Sequence, residues 1–353
     1  MKKIISIVLA LTLLCCFTGC NQSDSGASKE VIRVGTMCNH IGLPIYYAME
    51  NGLFEEAGLN VELYLFPTGA PINEALAADE LDVANSGMAS VYALSTGNTY
   101  WLGDIDDSGQ GLGIYVRPDS PILEATGNAT VDSIYGSEET VRGITILGTA
   151  GTSDQYNADK YVAQFGLTNQ DYQFLNMERG PAVQAFISGE GDAIACGDTT
   201  FMVQLENAGC IMVGSMSDCA GMGICDGMIA TKSFVDSRPE DAKAYVEVIY
   251  KAVDILATDE NARFEIAKKF YDENARGMSD DDIYTEIETK RYITLDDLAS
   301  GESLFGSTMV GMGDFYIEDG KIEVGLWDNI TGALYTKFVS ELTGVDIAVA
   351  TVD

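Results

Sequence analysis

The segment from residue 148 to residue 156 has the residue types of an anion-binding loop. It reads Gly-Thr-Ala-Gly-Thr-Ser-Asp-Gln-Tyr, and a helix is predicted to begin at Ser153. The first turn of a helix leaves backbone N–H groups unpaired, and such groups bind carboxylate, sulfonate or phosphate oxygens. The spacing of Thr152 and Gln155 fits a capping box equally well, in which side chains satisfy the same N–H groups. Both interpretations remain open from the sequence.

Two charged residues follow the next predicted strands. Arg179 offers a planar guanidinium that can hold an anionic ligand group through two parallel hydrogen bonds, or it pairs with its neighbour Glu178. Asp198 offers a carboxylate to a ligand amine, or it caps the helix predicted to start at Thr199. The two roles of Asp198 are compatible with each other.

Two loops nearer the N-terminus also follow predicted strands. Residues 36–43 lead into Pro44, a residue that suits the first turn of a helix. Residues 85–90 place a small hydroxyl residue, Ser86, and a glycine, Gly87, where a helix begins. In open α/β sheets, ligands bind outside the carboxyl ends of the strands, so all of these loops are candidates for one binding site.

The sequence contains no recognisable catalytic set. His40 is the one histidine of the chain, which excludes a triad of the usual kind, and no phosphate-binding Gly-x-x-x-x-Gly-Lys loop occurs. No Cys-x-x-Cys pair and no second imidazole are present, which argues against a zinc site. We therefore expect no enzyme activity, no cofactor and no metal. Cys219 and Cys225 either close a small loop or stay reduced with the other thiols.

Composition limits the partners. The chain has 353 residues, is 46% hydrophobic and carries a net charge of −34. This length suffices for a large core and two lobes. So acidic a surface repels nucleic acid and anionic lipid headgroups.

The elements that must position the loops alternate along the chain. Short β-branched strands alternate with helices from residue 31 to about residue 207, and the last third is richer in helix. Such alternation predicts an α/β fold built on parallel sheets.

The N-terminus has the layout of a secretory signal peptide. Lys2 and Lys3 precede an apolar run that ends in Phe-Thr-Gly-Cys at Cys20. This ending resembles a bacterial lipobox, although Phe17 replaces the usual leucine. We expect residues 1–19 to be removed, Cys20 to be lipidated, and residues 20–30 to tether the protein to the outside of the cell membrane. An ordinary signal peptide without lipidation is the alternative.

Several segments together resemble the solute-binding proteins of ABC importers, of the aliphatic sulfonate, taurine and nitrate type that includes thiamine-precursor (pyrimidine) binders. The matching segments are the stretch from Pro44 to Leu65, Asp-Val-Ala at 82–84 with Gly87, Gly-Thr-Ser at 151–153, Gly-Glu-Gly-Asp-Ala at 189–193 and Arg-Pro-Glu at 238–240. The resemblance implies an α/β, two-lobed type II periplasmic-binding fold, with a mainly parallel sheet flanked by helices in each lobe. One lobe would comprise residues 31–115 plus 226–353, and the other residues 116–225.

The resemblance also implies a function and a set of site residues. A monomer would capture a small molecule between its lobes and deliver it to a permease with its ATPase. The candidate ligand-binding residues are Asn39, His40, Gly42, Leu43, Ser86, Gly87, Met88, Gly151, Thr152, Ser153, Tyr156, Arg179 and Asp198. The acidic residues around these loops favour a zwitterion or a cationic heteroaromatic ligand over a simple sulfonate. A pyrimidine-synthase-like enzyme and a ligand sensor for a membrane receptor are the alternative functions.

Overall fold

The computed structural model describes residues 30–126, 131, 133–221 and 224–351. The predicted signal peptide, Cys20 and all but the last residue of the predicted tether lie outside the described residues. Among the helices in these ranges, none is both long enough and apolar enough to cross a membrane.

The described residues form eleven strands. In chain order they are β1 (Ile32–Met37), β2 (Val61–Phe66), β3 (Val83–Ser86), β4 (Thr99–Asp107), β5 (Gly113–Val116), β6 (Thr145–Gly148), β7 (Gln173–Asn176), β8 (Ala193–Cys196), β9 (Ile211–Ser215), β10 (Cys225–Thr231) and β11 (Arg291–Tyr292).

Seventeen α-helices accompany these strands in the same ranges. They are α1 (Leu43–Glu50), α2 (Leu53–Glu56), α3 (Gly69–Ala77), α4 (Ser90–Ser95), α5 (Glu138–Val141), α6 (Ser153–Ala163), α7 (Arg179–Ile187), α8 (Thr199–Asn207), α9 (Met216–Ala220), α10 (Lys232–Ser237), α11 (Pro239–Thr258), α12 (Glu260–Glu273), α13 (Asp280–Thr289), α14 (Leu295–Ser300), α15 (Ser307–Glu318), α16 (Trp327–Thr331) and α17 (Lys337–Thr343). Short 3₁₀ helices occur at His40–Gly42, Gly109–Gly111, Pro121–Glu124 and Val324–Leu326.

The first sheet has the strand order β11-β4-β10-β3-β1-β2. Strand β1 lies between β2 and β3 and is parallel to both, whereas β10 is antiparallel to β3 and to β4. The long helix α11 begins at Pro239, where the fixed φ of proline suits the first helical position. Its buried face, which includes Tyr245 and Ile249, belongs to the same core as Ile32 and Val34 of β1.

The second sheet has the order β7-β6-β8-β5-β9, with hydrophobic cores on both faces. Neighbouring residues of a strand point to opposite faces, so Ile146 joins one core with Tyr161 of α6, and Leu147 joins the other with Phe186 of α7. Helices therefore cover this sheet on both sides, as expected for strands that are apolar at successive positions.

These two sheets confirm the predicted two-lobed α/β fold. Most strands of each sheet run in one direction; β10 and β11 in the first sheet and β5 in the second run in the opposite direction. Strands β5 and β10 each follow a passage of the chain from one sheet to the other. The predicted boundary after residue 115 falls inside β5, which pairs entirely within the second sheet.

Candidate functional site

The predicted loops of the second lobe contact the first lobe. Arg276, after α12, lies 3.1 Å from the Asp198 carboxylate, and the hydroxyl of Tyr316 in α15 donates to the Gly151 carbonyl at 3.1 Å. Tyr156 of α6 packs edge-on against Phe315, with ring centroids 4.9 Å apart. The lobes therefore meet along the loops that follow β6 and β8, which is where the sequence predicted a ligand.

Protein atoms already engage the N–H groups around the start of α6. Gly151 N donates to Gln155 Oε1 at 3.0 Å, and Asp154 N donates to Thr152 Oγ1 at 3.2 Å. Thr149 N donates to Asp154 Oδ2 at 3.2 Å, and Ala150 N donates to Asn176 Oδ1 at 2.9 Å. The capping interpretation of Thr152 is therefore the one observed, although Gln155 reaches Gly151 and not Thr152 itself.

Arg179 is bound within its own lobe. Its Nε donates to Asp154 Oδ2 at 2.9 Å, and its Nη2 donates to Asp154 Oδ1 at 2.8 Å and to Ser153 Oγ at 3.0 Å. The bidentate pair expected of this guanidinium thus forms with Asp154 and not with Glu178. Arg179 and Ser153 are thereby held together at the start of α6.

Asp198 combines a capping role with an interlobe role. One carboxylate oxygen accepts from Thr200 N at 3.1 Å and caps α8, as predicted. The other accepts from Arg276. Burial alone would raise the pKa of Asp198, but the charges of Arg276 and Arg179 outweigh it and hold the pKa below its ordinary value.

Several residues of the first lobe's predicted loops serve the structure. The Asn39 side chain accepts from Ile41 N and caps the 3₁₀ helix, while Leu43 and Met88 are buried in the core. A Cβ on Gly42 would lie 2.5 Å from the Met37 carbonyl, so the backbone admits no side chain there. Tyr156 of the second lobe is buried as well. These predicted site residues therefore stabilise the loops.

His40 is the centre of a buried charged cluster. Its Nε2 lies 3.3 Å from Asp226 Oδ2 and 3.6 Å from Asp106 Oδ1, and its Nδ1 lies 4.0 Å from Glu286 Oε2. The exposed fractions are 7% for His40, 1% for Asp106, 6% for Asp226 and 2% for Glu286. We call these four residues the His40 cluster.

Strand pairing and one close backbone approach build this cluster. Asp106 of β4 and Asp226 of β10 are direct partners across the antiparallel pair, so both carboxylates come together beside the loop after β1. Gly87 lies against them, because a Cβ there would be 2.3 Å from Asp226 Oδ1. Of the predicted site residues, His40 and Gly87 thus meet at the cluster, and Ser86, which precedes Gly87 in the chain, is buried.

Burial dominates the electrostatics of this region. Burial, and then the charge of Asp226, raise the pKa of Asp106 well above its ordinary value. Burial also raises the pKa of Asp104 to about 6, although hydrogen bonds from Gly306 N and Trp101 Nε1 oppose the shift. Lys290 is 1% exposed, and its pKa is lowered because burial disfavours its ammonium.

The sequence interpretation missed the residues that complete this region from the C-terminal third. Glu286 lies on α13, Lys290 directly after it, and Arg276 before it; the sequence reading treated this stretch only as helix. One signal in the sequence indicated that such partners exist. Asp104 and Asp106 lie inside an otherwise apolar run, and a buried carboxylate is unfavourable unless another group pairs with it.

Comparisons with known proteins agree with this architecture. The chain is 27% identical over 304 residues to a Brachyspira hyodysenteriae protein named as an ABC transporter periplasmic binding protein, covering 84% of this chain and 87% of the relative. It is 26% identical over 261 residues to a Bacillus subtilis protein named as an aliphatic sulfonates-binding protein, covering 72% and 74%.

A solved structure shows the same fold. The periplasmic aliphatic sulphonate binding protein SsuA from Escherichia coli superposes with a TM-score of 0.67 at 17% identity, covering 85% of this chain and 92% of SsuA. The two-lobed architecture is therefore that of periplasmic binding proteins. The model of the NMT1-like family matches residues 25–270, which is more than half of the chain, and the protein belongs to that family.

Proposed function

We propose that this protein is the extracytoplasmic solute-binding component of an ABC importer. It captures a small polar metabolite between its lobes and delivers it to a membrane permease with its ATPase. The main observation in support is that the two lobes contact each other along the loops after β6 and β8. The chain also belongs to the NMT1-like family, and its relatives are named as binding proteins. Those names favour binding over the alternative of a pyrimidine-synthase-like enzyme and over a sensor role.

The lobes would rotate about the two passages between the sheets. Strand pairing supports a first passage at residues 108–112, between β4 and β5, and a second between β9 and β10. The two passages are joined, since Ser108 N donates to the Ile224 carbonyl at 2.8 Å and Ile224 N donates to Asp107 Oδ1 at 3.0 Å. Such a paired crossing is a suitable hinge for closure around a ligand.

The start of α6 favours a zwitterion or a cationic heteroaromatic solute over a plain sulfonate. A sulfonate bound there would compete with Gln155, Asn176 and Thr152 for backbone N–H groups that already have acceptors. A positive group needs no N–H donors, and Asp198, at the contact between the lobes, already accepts from the cationic side chain of Arg276, as it could from a ligand amine.

Solution binding tests the solute class. Calorimetric titration of the mature protein with taurine, alkanesulfonates, amino acids and thiamine-precursor pyrimidines should give tight binding only with a solute that carries a positive group. Tight binding of an alkanesulfonate alone would refute this class. Small-angle scattering with the tight ligand should show compaction, and an unchanged radius of gyration would contradict lobe closure.

Membrane attachment is the remaining part of the proposal. Residues 1–19 would be cleaved and Cys20 lipidated with several acyl chains, since a single chain binds a membrane only marginally. Residues 20–30 would then let a monomeric two-lobed body reach the permease. Intact-mass measurement of membrane-extracted protein should show a lipid-modified N-terminus, and an unmodified mature chain would exclude the anchor.

A further inference from the structure

The His40 cluster has the distances of a metal site. Ligand atoms bound tetrahedrally to an ion at 2.0–2.2 Å lie about 3.3–3.6 Å from one another. His40 Nε2 lies 3.3 Å from Asp226 Oδ2 and 3.6 Å from Asp106 Oδ1. All three side chains can each offer one ligand atom within 4.8 Å of the others.

A second observation points to a missing positive partner. Asp106 is 1% exposed, and no N–H or O–H donor of the described residues reaches either of its carboxylate oxygens. A buried carboxylate without a partner is strongly unfavourable, and coordination of a cation is one of the few arrangements that stabilise it. Because Oδ1 of Asp106 faces His40 Nε2, the unpartnered group is directed into the cluster.

The neighbouring cations do not fill this role. Lys290 Nζ donates to the Ser108 carbonyl at 3.2 Å, and Arg263 Nη2 donates to the Lys290 carbonyl at 2.7 Å while its guanidinium lies over the Tyr292 ring. Both side chains reduce the negative potential around the cluster. Neither bonds an Asp106 oxygen, so no described cationic side chain is paired directly with that group.

We propose that His40, Asp106 and Asp226 coordinate a divalent transition-metal ion, with Zn²⁺ as the best fit to one imidazole and two carboxylates. An ion bound at Nε2 would leave the ring proton on Nδ1, and Glu286 Oε2 lies 4.0 Å from that nitrogen on the opposite side of the ring. Three protein ligands leave a coordination position for water or for a donor atom of the solute. Contact between the ion and a solute depends on the proposed function, whereas binding of the ion itself does not.

Metal titration of the untagged mature chain is the primary test. After treatment with a chelator and its removal, the protein should bind one equivalent of Zn²⁺ by calorimetry. Co²⁺ should give an absorption spectrum of nitrogen and oxygen ligation, without the charge-transfer band of a thiolate. Absence of binding by the folded protein, or a thiolate band that places the ion on a cysteine, would overturn the proposal.

Variants locate the ion. Glu286→Gln removes a carboxylate outside the ligand set and should lower the Zn²⁺ affinity by about 10- to 100-fold. His40→Gln and Asp106→Asn each remove a ligand and should lower the Zn²⁺ affinity further. Asp159→Asn is the matched control, since Asp159 accepts from the Tyr172 hydroxyl within the second lobe, and its Zn²⁺ affinity should equal that of the wild type. Wild-type affinity in both His40→Gln and Asp106→Asn would disprove the site. If either variant unfolds, the Co²⁺ spectrum of the wild type and the Glu286→Gln titration still decide.

Solute binding with and without metal separates this inference from the proposed function. A solute that binds better to the Zn²⁺-loaded protein than to the chelator-treated protein supports both. An amine that binds the metal-free protein and is displaced by Zn²⁺ overturns the resident ion but leaves the solute-binding function intact. Zn²⁺ binding at the cluster without any solute binding supports the ion and counts against the proposed function.

Discussion

Arg276 and Asp198 form an ion pair between the two lobes, with 3.1 Å between Nη2 and Oδ2. The Arg276 side chain is 18% exposed and that of Asp198 is 22% exposed. The same guanidinium donates through Nη1 to the Cys38 carbonyl at 2.5 Å, two residues before His40. One side chain thus connects the first lobe's loop after β1 to the start of α8 in the second lobe.

Replacement of Arg276 should weaken the association of the lobes. Arg276→Gln removes charge-assisted hydrogen bonds that contribute about 1.5–3 kcal/mol when largely buried. Solute affinity should therefore fall by roughly tenfold or more in a calorimetric titration. Arg142→Gln is the control, because Arg142 pairs with Glu138 on the exposed surface of the second lobe and should leave affinity unchanged. Equal affinities for the wild type and Arg276→Gln would show that the pair does not support binding.

The contribution of Asp198 should depend on pH in one direction. Its folded-state pKa lies below the ordinary value near 3.8, so the carboxylate stabilises the folded protein above that value and the contribution is lost as the pH falls through the folded pKa. The difference in melting temperature between the wild type and Asp198→Asn should be constant from about pH 7 to about pH 5 and shrink below about pH 4. A difference that grows on acidification would contradict the assignment.

Gly87→Ala should damage the His40 cluster. The added Cβ would lie 2.3 Å from Asp226 Oδ1, and overpacking of this kind costs about 1–3 kcal/mol of folding free energy. Chemical denaturation should show this loss, and solute binding should weaken because Asp226 must move. Gly325→Ala is the matched control, since a Cβ there meets no atom within 4 Å, and it should behave as the wild type does.

Tyr316→Phe should reduce solute affinity without unfolding the protein. The change removes the hydrogen bond to the Gly151 carbonyl of the other lobe but keeps the ring. A hydrogen bond of this type contributes about 0.5–1.5 kcal/mol, which corresponds to roughly a two- to tenfold loss of affinity. Tyr172→Phe loses a bond to Asp159 inside the second lobe and should lower the melting temperature while affinity stays the same. If the two variants bind solute equally well, the Tyr316 contact makes no contribution to closure.

The sequence predicted those parts of the site that depend on local order. The start of α8 at Thr199, its cap Asp198 and the start of α6 at Ser153 are confirmed. Each of these features depends on a capping side chain directly before the helix, so residues that are neighbours in the sequence are sufficient to predict it.

The sequence did not predict β4 and β10, the strands that carry Asp106 and Asp226. Acidic residues interrupt both apolar patterns, and a reading by periodicity treats them as loop. The numbers of imidazoles and cysteines in the sequence argue against a metal site. They do not reflect the pairing of β4 with β10, which brings two aspartates that are far apart in the sequence to one histidine. Contacts of this kind depend on the register of the sheet, which one sequence leaves open.

The three proposed metal ligands all lie in one lobe, and this affects how the ion and the solute exchange when the lobes open. His40, Asp106 and Asp226 all belong to the first sheet or to the loop after β1, so rotation of the second lobe leaves the distances among them unchanged. Opening of the lobes would therefore break none of the bonds between the protein and an ion held there. The solute, which the second lobe helps to enclose, would exchange with every opening. One ion would then remain in place through many cycles of uptake.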